Sequence, residues 1–445
     1  MKCKASQYNY ITDLPDGSIL IYNALTGTLS QVDHDEGDKV IELLADPENC
    51  ELKEPWANAL LDDLKKCGYL IDSRFDELEW LRTHHRMEKD GSNRLSLVIV
   101  PTFDCNFRCV YCFEKVRNIY MSSQVVAGIK QFIRRNIEEQ GVKNIDIGWY
   151  GGESLLAKNT IYEISGSFSG INYSSSLFTN GYLLDSEVND KIGDLGITEI
   201  QISLDGPRDV HDRRRFLRGG IPTYDVIKEN IERIVRKWGN RVKVVIRANL
   251  DNDNIDSFEA LLNDFERMKG KICFSYARTG DTERSQSRGI HCFDTESFGK
   301  KTDRFYDMII ERRFGEIKMP RRVFLACGAD IANGYAIDPS GNVYKCMRTM
   351  EDPNSKLGVI SPDGDLSIDY KELSKWYSQD VFEDAECRQC KYLPLCMGGC
   401  ALAKMEEGRR VCYFKRTGLG IENRIKRFYA AQMAAARERS EGADK

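Results

Sequence analysis

The sequence predicts an α/β protein: a partial (β/α)6 barrel of the TIM type, preceded by a small winged-helix-like domain and followed by a cysteine-rich domain. Three observations predict it. From Leu95 onward, strand-like apolar runs alternate with amphipathic helical segments. Before residue 90 the pattern is a hairpin, two helices and a short strand. From about 320 to 415 the chain is rich in turns and cysteines and shows little periodicity. The expected domains are therefore 1–90, 91–315 and 316–445.

In the first domain, Gly17–Asn23 and Leu25–Val32 read as a hairpin with polar and apolar residues alternating. A helix runs from near Asp35 to Leu44. A second spans Pro55–Cys67, with Trp56, Ala59, Leu60 and Leu64 on one face. Gly68–Ile71 reads as a returning strand, and Asp76–Asp90 as a charged linking helix. Six strand candidates follow: Leu95–Pro101, Ile145–Tyr150, Ser174–Phe178, Glu199–Leu204, Val242–Leu250 and Ile272–Tyr276. Helical segments such as Ser123–Glu138 and Tyr224–Lys237 separate most of them, which implies a parallel sheet with helices outside. In barrels of this type the chemistry sits at the C-terminal strand ends, so a functional motif should directly follow a strand. The segment Ile421–Lys445 reads as a charged helix.

The net charge is −5 from 64 basic and 69 acidic residues, with no sign of a nucleic-acid groove. No apolar run reaches the ~18 residues of a membrane span, and the N-terminus lacks the apolar centre of a signal peptide. The expectation is a cytoplasmic protein without nucleic-acid or membrane partners. Fifteen cysteines in such a chain point to metal or redox chemistry rather than disulfides. Cys3, Cys50, Cys67, Cys273 and Cys292 are scattered and read as small buried hydrophobes. The other ten form two groups.

The first group follows the first barrel strand: Asp104-Cys105-Asn106-Phe107-Arg108-Cys109-Val110-Tyr111-Cys112-Phe113. Three thiolates can hold three irons of a cubane cluster and leave the fourth for another ligand, whereas electron-transfer clusters use four cysteines. A zinc site would want a fourth local ligand, and none is present. C-x3-C-x2-C with an aromatic residue before the last cysteine resembles the radical S-adenosylmethionine (SAM) superfamily. That resemblance implies a [4Fe-4S] cluster whose open iron is chelated by SAM, reductive SAM cleavage and a 5′-deoxyadenosyl radical. It also implies cofactor contacts from Tyr111 and Phe113. Further matches sit at later strand ends. Tyr150-Gly151-Gly152-Glu153 is similar to the family's GGE, whose glycines let the backbone approach SAM and whose carboxylate meets its ammonium. Thr179-Asn180-Gly181 ends the third strand, and Ser203-Leu204-Asp205-Gly206 the fourth, before His211-Asp212-Arg213-Arg214-Arg215. The family's ribose and carboxylate contacts would fall on Ser203 and Arg215, with three adjacent arginines as candidates for the latter. Arg247 and Asn249 on the fifth strand face the same end. A lone GGE is usually just a turn; four such motifs in order, each after a strand, are specific.

The second group is Cys327, Cys346, Cys387, Cys390, Cys396, Cys400 and Cys412, with Gly341 between the first two. Its spacing resembles the SPASM extension of peptide-modifying radical SAM enzymes. The resemblance implies one auxiliary [4Fe-4S] cluster on Cys387, Cys390, Cys396 and Cys412 and another on Cys327, Cys346 and Cys400, three clusters in all. Some relatives complete the latter with a cysteine six residues after the first; here that position is Asn333. The open iron could bind a substrate thiolate for sulfur–carbon bond formation, unless Cys292 or another cysteine fills it. Relatives that make formylglycine in sulfatases place an aspartate after the equivalent of Cys346. Here Met347 stands there, and a methionine cannot act as a base.

The first domain resembles the PqqD-like element that recognises leader peptides by strand addition. A DNA-binding winged helix is disfavoured by Asp33, Asp35, Glu36 and Asp38. Together the resemblances imply a maturase of a ribosomally synthesised precursor peptide that forms cysteine thioethers, of the ranthipeptide or sactipeptide type. It would be served by an electron donor such as flavodoxin or ferredoxin. The alternatives are carbon–carbon cross-linking or another side-chain oxidation, formylglycine formation, and a non-enzymatic redox protein.

Overall fold

A computed structural model describes residues 2–47, 57–91, 93–168, 171–315, 318–350, 352–412 and 420–443. Cys50, Pro55 and Trp56 lie outside the described residues. The chain divides into two compact units. One contains Met1–Asp90, Ile317–Cys327 and Gln379–Lys445; the other contains Gly91–Glu316 and Gly328–Ser378.

In the first unit β1 (Cys3–Ala5) pairs antiparallel with β5 (Leu70–Asp72), and β2 (Asn9–Asp13), β3 (Ile19–Asn23) and β4 (Leu29–Val32) form an antiparallel sheet in that order. The expected hairpin is β3–β4; β1 and β2 were not foreseen, and the expected returning strand pairs with β1 instead. Nor does β3 alternate. All five of its residues are buried, because both faces are covered. Ile19 and Ile21 pack with Val40, Leu43, Leu64 and Tyr69, on the side of helices His34–Ala45 and Ala57–Lys66. Leu20 and Tyr22 pack instead with Leu81, Phe382, Leu393, Met397, Ile421 and Ile425. A strand buried on both faces reads as a continuous apolar run, as Ile-Leu-Ile-Tyr does here. The charged helix Glu77–Lys89 likewise buries Leu81, and His85 Nδ1 lies 2.6 Å from the Phe324 carbonyl.

In the second unit β6 (Arg94–Ile99), β7 (Asn144–Trp149), β8 (Asn172–Thr179), β9 (Ile197–Ser203), β10 (Lys243–Leu250) and β11 (Ile272–Arg278) run parallel, each paired with the next. The six strands expected from the sequence are all present. Alternate residues such as Leu95, Leu97, Ile99, Ile145, Ile147, Ile200, Ile202 and Ile246 share one core with the apolar stripes of the helices. Helix Ser123–Gln140 contributes Ile129 and Ile133 and is capped by Ser122, which accepts from Val125 N–H at 3.3 Å. Helix Tyr224–Trp238 contributes Ile227, Ile231 and Ile234, all fully buried and each worth about 1.5–3 kcal/mol. The opposite strand face carries Gln201, Ser203, Arg247, Asn249 and Ser275, all half-buried and polar.

The sheet continues past β6 through β12 (Gly334–Ile337), which pairs parallel with it, and then antiparallel through β13 (Asn342–Tyr344), β14 (Gly358–Ile360) and β15 (Leu366–Ile368). Periodicity did not reveal these strands. They are only three or four residues long, and β12 finds its partner far away in sequence. Among the described residues no helix is long and apolar enough to cross a membrane.

Candidate active site

The segment after β6 carries the first cysteine group to the C-terminal end of the parallel strands. Two flanking segments hold it. Arg108 N–H donates to Phe216 O at 2.8 Å and Val110 N–H to Arg214 O at 3.0 Å, while Met121 N–H donates to Pro101 O at 2.9 Å. Phe107 anchors the loop with 1% exposure, and its N–H donates to Cys105 Sγ at 3.4 Å. Burial raises all three thiols: Cys105 and Cys109 rise, and Cys112 reaches about 11. Empty, they stay protonated; a metal must displace those protons to bind.

The motif after β7 fits against this loop. Gly151 has φ +131°, and a side chain there would meet Thr102 O at 2.6 Å; one at Gly152 would meet Asp104 O at 2.4 Å. Only glycine lets the two backbones approach so closely. Glu153, 1% exposed, accepts from Asn180 N–H at 2.7 Å, Thr179 Oγ1 at 2.8 Å and Leu155 N–H at 3.1 Å. Burial pushes its carboxyl up against these three donors. Asn180 also donates to Asn106 Oδ1 at 2.7 Å. The ends of β7 and β8 and the cysteine loop are thus one hydrogen-bonded assembly.

The ends of β9 and β10 build the other wall. Asp205, fully buried, accepts from Tyr111 Oη at 2.5 Å and from Asn249 N–H at 3.1 Å. Tyr111 Oη in turn accepts from Arg215 Nη1 at 2.6 Å and Asn249 Nδ2 at 3.1 Å. The phenol is therefore engaged by protein, while Phe113 is 55% exposed.

The three arginines separate clearly. Arg213 is exposed and pairs with Asp209 at 3.5 Å. Arg214 is clamped by fully buried Asp251 at 2.5 and 3.1 Å. Arg215, 8% exposed, has a buried Nε without a hydrogen-bond partner among the described residues, and it stands close enough to Cys109 for a thiolate there to stabilise its cation. Arg214 Nε is likewise buried without a hydrogen bond, but the Arg214 charge is matched by Asp251 and Asp205, whereas Arg215 meets the neutral Tyr111 phenol. Ser203, Arg247 and Ser275 lie in register across β9, β10 and β11. Asp251 was missed in the sequence; its place directly after β10 was the available signal.

His211 completes the wall. It is fully buried, its Nδ1 accepts from Asp205 N–H at 3.3 Å, and its Nε2 lies 3.2 Å from Thr223 Oγ1. Thr223 Oγ1 spends its own hydrogen on Arg215 O at 2.7 Å, so the neutral Nε2–H form fits. Burial, then Arg215 and Arg214, hold its pKa well below 6.5. The unfolded chain takes up this proton below about pH 6.5 and the folded one does not. Stability should therefore fall below about pH 6.5 by up to ~1.4 kcal/mol per pH unit from this group. Urea unfolding of the iron-free protein at pH 7.5, 6.5 and 5.5 measures the slope, and His211→Gln should flatten it by one proton.

In the first unit, Cys387, Cys390, Cys396 and Cys412 line one cavity of about 450 Å³ with Gly398, Gly399 and Arg410. Burial raises Cys387 to about 12 and Cys396 to about 11. Cys400 is exposed, and its Sγ accepts from Ala403 N–H at 3.4 Å. Exposed Cys327 shares this unit, whereas Cys346 belongs to the second. Asn333 directly precedes β12, and Met347 packs against the apolar cluster of Val100, Phe103 and Tyr344. Cys3, Cys67, Cys273 and Cys292 are only partly buried, so the scattered cysteines are less enclosed than expected. Among the described residues no three His, Cys, Asp or Glu side chains converge as for a single metal ion.

The chain resembles known radical SAM proteins. The profile of the radical SAM superfamily matches residues 99–265, the span from β6 past β10. The chain is 24% identical over 332 residues to a cysteine-type anaerobic sulfatase-maturating enzyme of Clostridium novyi, covering 69% of this chain and 87% of that one. It is 24% identical over 456 residues to the radical SAM cyclopropyl synthase TigE of Paramaledivibacter caminithermalis, covering 92% of each. Its fold resembles that of anSMEcpe solved with AdoMet and the Cp18Cys peptide, with TM-score 0.55, 19% identity, and coverage of 78% of this chain and 99% of that one.

Proposed function

We propose that this chain, an enzyme built on a radical SAM core, is a maturase that installs cysteine sulfur-to-carbon thioethers in a ribosomally synthesised precursor peptide. The observation that carries the reading is the presence, in one chain, of the three-cysteine loop after β6 and the four-cysteine cavity. Cys105, Cys109 and Cys112 would hold a cluster open to SAM. Gly151 and Gly152 would admit SAM to the backbone, and Arg215 would take its carboxylate. When bound, these groups supply a 5′-deoxyadenosyl radical, which removes a hydrogen atom from the substrate.

The residues of the chain bind and orient. The polar strand face of Ser203, Arg247, Asn249 and Ser275 suits a hydrated peptide better than an apolar ligand. Cys387, Cys390, Cys396 and Cys412 would hold one auxiliary cluster. Cys327, Cys346 and Cys400 would hold the other, with Asn333 leaving a ligand position for a substrate thiolate. The same unit that holds the four-cysteine cavity contains the β2–β3–β4 sheet, joined to it by Lys391 Nζ donating to Asn9 O at 3.2 Å. An edge of that sheet would take the leader as an added strand, and the tether would raise the local concentration of the core peptide. An external one-electron donor would supply the electrons.

Formylglycine formation on a sulfatase is the second reading, favoured by likeness to sulfatase-maturating enzymes. Met347, packed as an apolar filler where those enzymes carry their base, stands against it.

The test is anaerobic reconstitution with SAM, a reductant and a cysteine-containing peptide encoded beside the gene, followed by mass spectrometry before and after thiol alkylation. A loss of two hydrogens with one fewer alkylatable cysteine per event establishes thioethers. The same mass loss with every thiol alkylatable means a carbon–carbon bond or another oxidation, and removes the thiolate-on-iron role.

A further inference from the structure

Arg410 lines the cavity of Cys387, Cys390, Cys396 and Cys412, and its guanidinium is fixed in place. Nη2 donates to Gln379 O at 2.6 Å and Nη1 to Gly398 O at 3.4 Å. Its Nε is buried and has no hydrogen-bond partner among the described residues. Leaving such a donor unpaired is costly, and more so for a charged group. An orphan of this kind needs an explanation, and a ligand that brings its own acceptor is the one the cavity offers.

The neighbours sharpen the point. Arg409 also lines the cavity, but its side chain is 74% exposed and pairs with Glu407 at 4.0 Å, so water screens its charge and no buried donor is left on it. Asp384 faces the same cavity, but its carboxylate accepts from Cys387 N–H at 3.0 Å. Arg410 lines the same cavity as Cys387 and Cys396, which places its charge beside those sulfurs.

We infer that Arg410 is a positioning residue for an iron–sulfur cluster in this cavity: its Nε–H donates to a cluster or cysteine sulfur, and its charge favours the reduced form. The inference rests on reading the four cysteines as an auxiliary cluster site. The couple is simple. A one-electron reductant gives one electron, the centre becomes more negative by one charge, and no bond is made or broken. A fixed cation with a hydrogen bond to sulfur stabilises the more negative state more, and so raises the potential.

The experiment uses the full-length chain carrying Cys105→Ala, Cys109→Ala and Cys112→Ala, reconstituted anaerobically, with dithionite as reductant. Iron content and the electron paramagnetic resonance spectrum are read first. The signal that Cys387→Ala removes belongs to this cavity; if Cys387→Ala removes neither iron nor signal, the cluster reading itself fails. Potentiometry then follows that signal in Arg410→Met and Arg410→Lys.

A charge-assisted hydrogen bond of ordinary strength predicts a drop of about tenfold in the reduced-to-oxidised ratio at fixed potential in Arg410→Met, or ~59 mV for one electron. Arg410→Lys, which keeps the charge without the pinned Nε–H, should recover part of it. An unchanged midpoint with iron intact overturns the inference while leaving the cluster in place. If Arg410→Met does not retain the cluster, Arg410→Lys decides: a midpoint below that of the parent chain supports the directed hydrogen bond, and one equal to it rejects it.

Discussion

Replacing Cys109 with alanine should remove reductive SAM cleavage, lowering 5′-deoxyadenosine formation by more than about a hundredfold, the scale on which even outer-shell partners of a metal act. Cys109 is 8% exposed and lies in the loop that Phe216 and Arg214 pin through their backbone carbonyls. Its removal leaves two thiols in the loop, too few to hold a cubane. The fold should survive, because those backbone bonds do not involve the thiol. Chromatography of 5′-deoxyadenosine, set beside the melting curve of the variant, reads both expectations. SAM cleavage at the parent rate in the variant would place the cluster elsewhere.

The second large effect separates two neighbouring arginines. Arg214→Met leaves Asp251, fully buried, without its cation, and Asp205 loses the Arg214 Nε that lies 3.6 Å from it. Stranding a buried charge costs roughly 3–5 kcal/mol, which lowers the melting temperature by on the order of 10 °C in a unit of this size. Arg215→Met removes a buried cation whose hydrogen-bond partner is the neutral Tyr111 phenol, so the melting point should move far less. SAM binding should instead weaken by about tenfold or more, the worth of a guanidinium–carboxylate pair. Calorimetric melting and equilibrium SAM binding on both variants give a double dissociation. Should Arg214→Met weaken SAM without destabilising the protein, the two roles would have to be exchanged.

Much of the second unit was legible because its information is local. A strand packed against helices on one face shows its apolar residues at every second position, as Leu95-x-Leu97-x-Ile99 does. Motifs that serve the strand ends lie immediately after those strands, so Cys105–Cys112, Gly151–Glu153 and Ser203–Gly206 were found where a barrel would place them. The β12–β15 extension was not legible, since β12 is short and pairs with β6, more than 200 residues earlier. Nor was the burial of β3 on both faces, because Leu20 and Tyr22 are covered by Leu81 and by residues from positions 381–425.

Residue types and spacings by themselves determined the parallel α/β core, the cysteine groups and the glycines that admit close backbone approach, all properties of a few consecutive residues. Tertiary structure alone decided that the first 90 residues share a unit with Gln379–Lys445, and that Gly328–Ser378 joins the unit of the parallel sheet. It alone gave Arg213, Arg214 and Arg215 separate surroundings, where the sequence offered three candidates in a row and favoured Arg215. Helix Arg208–Arg214 turns each successive side chain by about 100° and ends at Arg215, so one faces water, one Asp251 and one the cysteine loop. The physical reason is the same throughout: chain spacing sets which groups share a local face, while their charges and packing are balanced by partners the chain supplies from far away.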